Sequence, residues 1–133
     1  VWLVGMLYDD RYAAAGAVAV VLACAQMPLL IVMTYDQAAL AAGDSRRFFY
    51  LALTRAVLIW IGLIVGVWEH GLLGALIGMG VAYLAAYPAV VWLAVRMGAW
   101  DAAHDVGFAL VAVCLTSLAL WVNWGAIVAL AAM

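Results

Sequence analysis

Four long apolar runs separated by short polar breaks make up most of the sequence. The first, 13–33, reads "AAAGAVAVVLACAQMPLLIVM" and holds Gln26 as its one strongly polar side chain. The second, 48–68, reads "FFYLALTRAVLIWIGLIVGVW" and carries a single charge, Arg55. The third, 72–95, and the fourth, 106–122, carry none. No run alternates apolar and polar with a period of two, so the prediction is helices rather than barrel strands. At about 1.5 Å per residue each run approaches the roughly 30 Å hydrocarbon core of a bilayer.

The first helix outruns its apolar stretch. "TYDQAALAA" continues it without a breaker until Gly43, which fits a C-terminal cap, and Asp44 or Ser45 fits the next N-cap. The sequence therefore predicts an all-α integral membrane protein, an antiparallel bundle with four full spans at about 13–41, 46–68, 72–97 and 105–122. Pro28 and Pro88 each remove a backbone hydrogen bond inside a span and predict kinks. Partial helices flank the four spans. "VWLVGMLY" reads as the tail of one and "GAIVALAAM" as the start of another, so a single transmembrane domain from a longer membrane protein is expected over 1–133.

Small residues mark the faces that pack. In the third span Gly74, Gly78, Ala82 and Ala86 recur every fourth residue, and Gly62 and Gly66 repeat the spacing in the second. Such stripes let helix backbones approach closely, and tight bundle packing is the plain reading. Arg55 precedes Gly62 by seven residues and Gly66 by eleven. At about 100° per residue these offsets return to within about 20° of one direction, so Arg55 belongs to the glycine face. In the first span Gln26, Met33 and Gln37 share a face, with Asp36 about one residue off that line.

Composition fixes the class. The chain of 133 residues is 73% hydrophobic and 9% charged, against about 45–50% and 25% in soluble domains. It has no lysine and no basic run, so no nucleic-acid partner is indicated. Arginine is distributed unevenly. Arg46, Arg47 and Arg96 fall on one side, with Arg55 nearest to it, and the other side receives Arg11, beside Asp9 and Asp10, and Glu69. The positive-inside rule then places loops 43–47 and 97–105 in the cytoplasm and residues 8–12 and 69–71 outside. Trp68, Trp100 and Trp124 fall near span ends, where interfacial tryptophans belong.

The chemistry-bearing residues are few. Cys24 and Cys114 each lie inside an apolar run and read as small buried hydrophobes, with no disulfide framework or metal spacing. His70 and His104 read as loop residues on opposite sides. No Ser/His/Asp set, metal cluster or phosphate loop can be assembled, so neither an enzyme nor a bound cofactor is expected. Arg55 has three readings: a pathway residue facing a cavity, a snorkelling side chain, or a structural partner of Asp36.

Three stretches, "MLYDDRYAAAG", "AALAAGDSRRFFYLALTRA" and "GLLGALIGMGVAYLAAYP", together resemble the C-terminal part of polysaccharide-unit flippases. These belong to the multidrug/oligosaccharidyl-lipid/polysaccharide exporter superfamily. The resemblance implies a lobe of a twelve-helix fold, with the missing N-terminal helices of the same chain as its partner. It implies a multi-pass protein of the bacterial inner membrane. Its activity would be transport of undecaprenyl-diphosphate-linked sugar units, for exopolysaccharide or O-antigen assembly, by alternating access. Cationic residues often line the cavity of that family, and Arg55 is the one arginine inside an apolar run. Gln26, Asp36 and Gln37 complete the candidate substrate set, while Gly62, Gly66, Gly74, Gly78 and Ala82 are the candidate packing residues. Two alternatives stay open. A multidrug or cation antiporter of the same superfamily calls for a carboxylate deep in a span. A non-transporting membrane scaffold calls for no cavity charge.

Overall fold

The apolar runs fold as helices. The computed structural model describes residues 13–131, which form α1 (Ala13–Ala25), α2 (Met27–Ala41), α3 (Ser45–Arg96), α4 (Ala102–Val122) and α5 (Trp124–Ala131). No strand occurs among the described residues. The helix tail expected in "VWLVGMLY", together with Asp9, Asp10 and Arg11, lies outside them. Two helices, α3 and α4, are long and apolar enough to cross a membrane, and α1 with α2 makes a third candidate if the bent pair is one span.

At 52 residues α3 would extend about 78 Å as a straight rod, more than twice a hydrocarbon core. It does not run straight. His70 (φ −141°, ψ 25°) and Gly71 (φ 59°, ψ −137°) leave helical geometry and fold it into two arms, 45–69 and 72–96. The Gly71 conformation is open to glycine and strained for residues with a Cβ. The arms return antiparallel and meet backbone to backbone. A Cβ added at Gly62 would strike the carbonyl of Gly78, and one at Gly66 would strike that of Gly74. With no side chains between them, the two backbones close to a separation that alanine would prevent. Ala82 extends the seam, its Cβ lying 3.3 Å from where a Gly62 Cβ would stand.

The helix ends follow local chemistry. Gly43 takes φ +73° after α2, and Asp44 caps α3 by accepting from the Arg47 amide at 3.0 Å. Asp101 caps α4, accepting from the amides of Ala103 at 2.9 Å and His104 at 3.2 Å. That cap starts the helix three residues before the expected 105, so His104 lies in the first turn of α4 and not in a loop. The prolines act differently from expectation. Between α1 and α2 the chain bends by 45°, but the break is at Gln26. Pro28 occupies the first turn of α2, where its missing N–H has no intrahelical partner to lose. Pro88 sits on an exposed face, and the dihedrals stay helical through it.

Two apolar clusters hold the helices together. At the end bearing Arg46, Arg47 and Arg96, Ile31, Val32, Tyr35 and Ala39 of α2 pack against Leu51 on the first arm and Val90, Leu93 and Ala94 on the second. Toward the opposite end Val21 of α1, Leu76 of α3 and Ile127 of α5 form the other. The bend between α1 and α2 lies against the second arm, where Ala25 Cα would be 3.2 Å from a Gly80 Cβ. Many large apolar side chains elsewhere on the long helices are exposed, including Trp60 at 67%, Trp68 at 83% and Trp121 at 79%. That surface suits hydrocarbon and not water.

Candidate functional site

The buried polar groups gather at the arginine-bearing end, on two sides of α2. Asp36 points from α2 to the first arm of α3. Its Oδ2 accepts from Arg55 Nη2 at 2.8 Å, and the two side chains are only 12% and 16% exposed. The pairing has a sequence basis. Arg55 lies one turn beyond Leu51, whose side chain is buried against α2, so the guanidinium is carried to the same neighbour. Asp36 lies about 7.5 Å along α2 before its last residue, Ala41, within reach of that arginine. The pair is incompletely satisfied. Asp36 Oδ1 and Arg55 Nη1 are buried with no hydrogen-bond partner among the described residues. A guanidinium bound through one nitrogen keeps donors free for another acceptor.

Tyr35, one residue before Asp36, faces the opposite way and meets a second carboxylate. Asp105, 4% exposed, accepts at Oδ1 from the Tyr35 hydroxyl at 2.6 Å and at Oδ2 from the Tyr87 hydroxyl at 2.7 Å. Trp100 Nε1 donates to Oδ2 at 3.2 Å, and His104 Nδ1 lies 3.2 Å from Oδ1. This one carboxylate joins α2, the second arm of α3, the loop before α4 and α4 itself. Every lone-pair direction has a donor nearby, so it reads as a fixed pin.

The contrast between the carboxylates selects the candidate site. Asp105 is saturated and has no vacancy for a ligand, whereas the Asp36–Arg55 pair holds one oxygen and one nitrogen in reserve. Buried charge with unmet hydrogen bonds is costly to keep, and such atoms call for a partner, whether water, ion or ligand. The other predicted members of the set stand elsewhere. Gln26 and Gln37 are exposed, as is Met33, so the face they share turns away from Arg55. Snorkelling does not describe Arg55, whose side chain is held to a buried acid.

Sequence reasoning missed Asp105 because "GAWDAAHD" reads as a polar connection. Two signals were present. Asp101 followed by His104 fits an N-cap, which moves the helix start forward and makes Asp105 a first-turn residue. Tyr35 and Tyr87 sit inside spans, where a buried hydroxyl requires an acceptor. Among the described residues no group of three His, Cys, Asp or Glu converges where a metal would sit. Cys24 is half-buried, Cys114 is exposed, and both are free thiols. No known family, curated protein or solved structure matches the chain.

Proposed function

We propose that this chain is one lobe of a carrier that moves a lipid-linked oligosaccharide unit across a bacterial inner membrane. In this reading α1 with α2, the two arms of α3, and α4 make four crossings. Helices of the missing N-terminal lobe complete the cavity. The observation that carries the reading is Arg55: a guanidinium within a predicted span, held to Asp36 by a single hydrogen bond, with Nη1 unpartnered. The three stretches that resemble polysaccharide-unit flippases support the cargo class.

The chemistry is an exchange of anions. Hydrocarbon accepts the cargo's polyprenyl tail and rejects its diphosphate and sugars. A diphosphate carries more charge than Asp36 and offers paired oxygens that match the guanidinium fork. When cargo enters, Arg55 turns from Asp36 to phosphate while Asp36 is left to the water that the sugar-bearing cavity admits; when cargo leaves, Asp36 takes the arginine back, so the guanidinium always has an anionic partner. One lobe rocking against the other then presents the site to each face in turn.

The test is polysaccharide export, normalised to membrane-protein abundance, in a strain carrying the full chain. Arg55→Ala should abolish export per molecule, beyond any fall in abundance from leaving Asp36 unpaired. Arg55→Lys should restore only part, because an ammonium keeps the charge and loses the fork. The 2.8 Å ion pair also favours a second reading, a non-transporting scaffold in which Arg55 is purely structural. That reading expects lower abundance for Arg55→Ala, recovery in the Asp36→Ala/Arg55→Ala double variant, and export that follows abundance throughout. Wild-type export per molecule from Arg55→Ala overturns the cargo-binding proposal.

A further inference from the structure

Toward the arginine-bearing end a groove of about 220 Å³ separates the two arms of α3. Its floor is Leu51, Ala89 and Leu93, with both leucines buried. Tyr50 and Trp92, one from each arm, stand exposed as its walls. Thr54 also lines it but donates its hydroxyl to the Tyr50 carbonyl at 2.9 Å, which leaves its methyl for the groove. The lining has no carboxylate.

Each wall has a cation one helical turn closer to the end of its arm. Arg47 precedes Tyr50 and lines the mouth, with its Nε 3.1 Å from Asp44 and its side chain still 49% exposed. Arg96 follows Trp92, its guanidinium carbon 5.0 Å from the indole centroid, and has no carboxylate partner among the described residues. Aromatic rings with arginines just beyond them mark the boundary between hydrocarbon and headgroups. An apolar slot for one chain beneath two cations is complementary to one occupant.

We infer that this groove holds an acyl chain of an anionic phospholipid, whose phosphate meets Arg47 and Arg96. The chain lies over Leu51, Ala89 and Leu93 between the two rings. A zwitterionic lipid fills the slot equally well but brings its own cation to the arginines, so discrimination comes from headgroup charge. This inference does not depend on which cargo, if any, the protein transports.

The experiment is native mass spectrometry of the purified full chain, titrated with phosphatidylglycerol or phosphatidylcholine of identical acyl chains. Wild type should retain phosphatidylglycerol preferentially. Arg47→Ala and Arg96→Ala should each weaken that retention about fivefold, the worth of one surface arginine against an anionic lipid. Ala89→Phe fills the slot and leaves both arginines, and should release the lipid. Trp92→Ala, at an exposed position, should weaken retention without disturbing the packed floor. Glycerol phosphate, which has the headgroup charge and no chain, should not compete. Equal retention of the two lipids by wild type, undiminished binding by both Ala89→Phe and Trp92→Ala, or full competition by glycerol phosphate overturns the inference.

Discussion

Asp105 is surrounded by donors and Asp36 is not, and the two should respond differently to substitution. Hydrogen bonds to a charged acceptor contribute about 1.5–3 kcal/mol each. Tyr87→Phe removes one of the four groups around Asp105 and should lower stability by about that amount. Asp105→Ala takes the acceptor from the partly buried Tyr87 hydroxyl and leaves the buried Tyr35 hydroxyl only its longer contacts with the Asp101 backbone, at 3.4 and 3.5 Å, and should cost about 3 kcal/mol. Thermal unfolding in detergent reads both, and an Asp105→Ala midpoint equal to wild type would show that the cluster pins nothing. Arg55 and Asp36 were legible in the sequence as a charge in a span and an acid near its reach. Helical arithmetic could not choose among the three roles for Arg55, because the choice depends on how α2 turns against the first arm of α3. Gln26 and Gln37 stand exposed and apart from Arg55. They share a face, but periodicity does not say which neighbour, if any, covers it.

The hairpin within α3 depends on glycine in two distinct ways. Along the seam, Gly62 and Gly66 meet the opposite backbone, so Gly62→Leu or Gly66→Leu should force the arms apart and reduce folded protein. At the tip, Gly71 has open space around it but φ at +59°, so Gly71→Ala should cost about 1–3 kcal/mol through backbone strain alone. Gly107 and Gly125 have helical neighbours and nothing within 4 Å of an added Cβ. Gly107→Ala and Gly125→Ala should therefore be neutral or stabilising by up to about 1 kcal/mol. Folded fraction by size-exclusion chromatography in detergent separates these classes. Uniform tolerance across all five variants would contradict the seam. The apolar runs and the glycine spacing made these elements readable in advance. The break at Gln26 was not readable, since proline draws attention to its own position while the helix parts two residues earlier, where α1 leans on Gly80.

The exposed apolar surface and the one-sided placement of Arg46, Arg47 and Arg96 both concern the bundle as a body in a membrane. The clusters at its two ends, the fold-back at His70–Gly71 and the polar layer under the arginines give it a definite long direction. In the proposed orientation the arginine-bearing end faces the cytoplasm and the His70–Gly71 tip faces outward. Both the anion-exchange proposal and the lipid groove take their sidedness from that arrangement. Impermeant maleimide labelling of single cysteines tests it most directly, in the full chain with Cys24 and Cys114 replaced by alanine. A cysteine at Ser45 should stay unlabelled in intact cells and react once they are permeabilised, while one at His70 should react in intact cells. Labelling of both positions from the same side would contradict a first arm that crosses the membrane, and the reverse pattern would contradict the orientation.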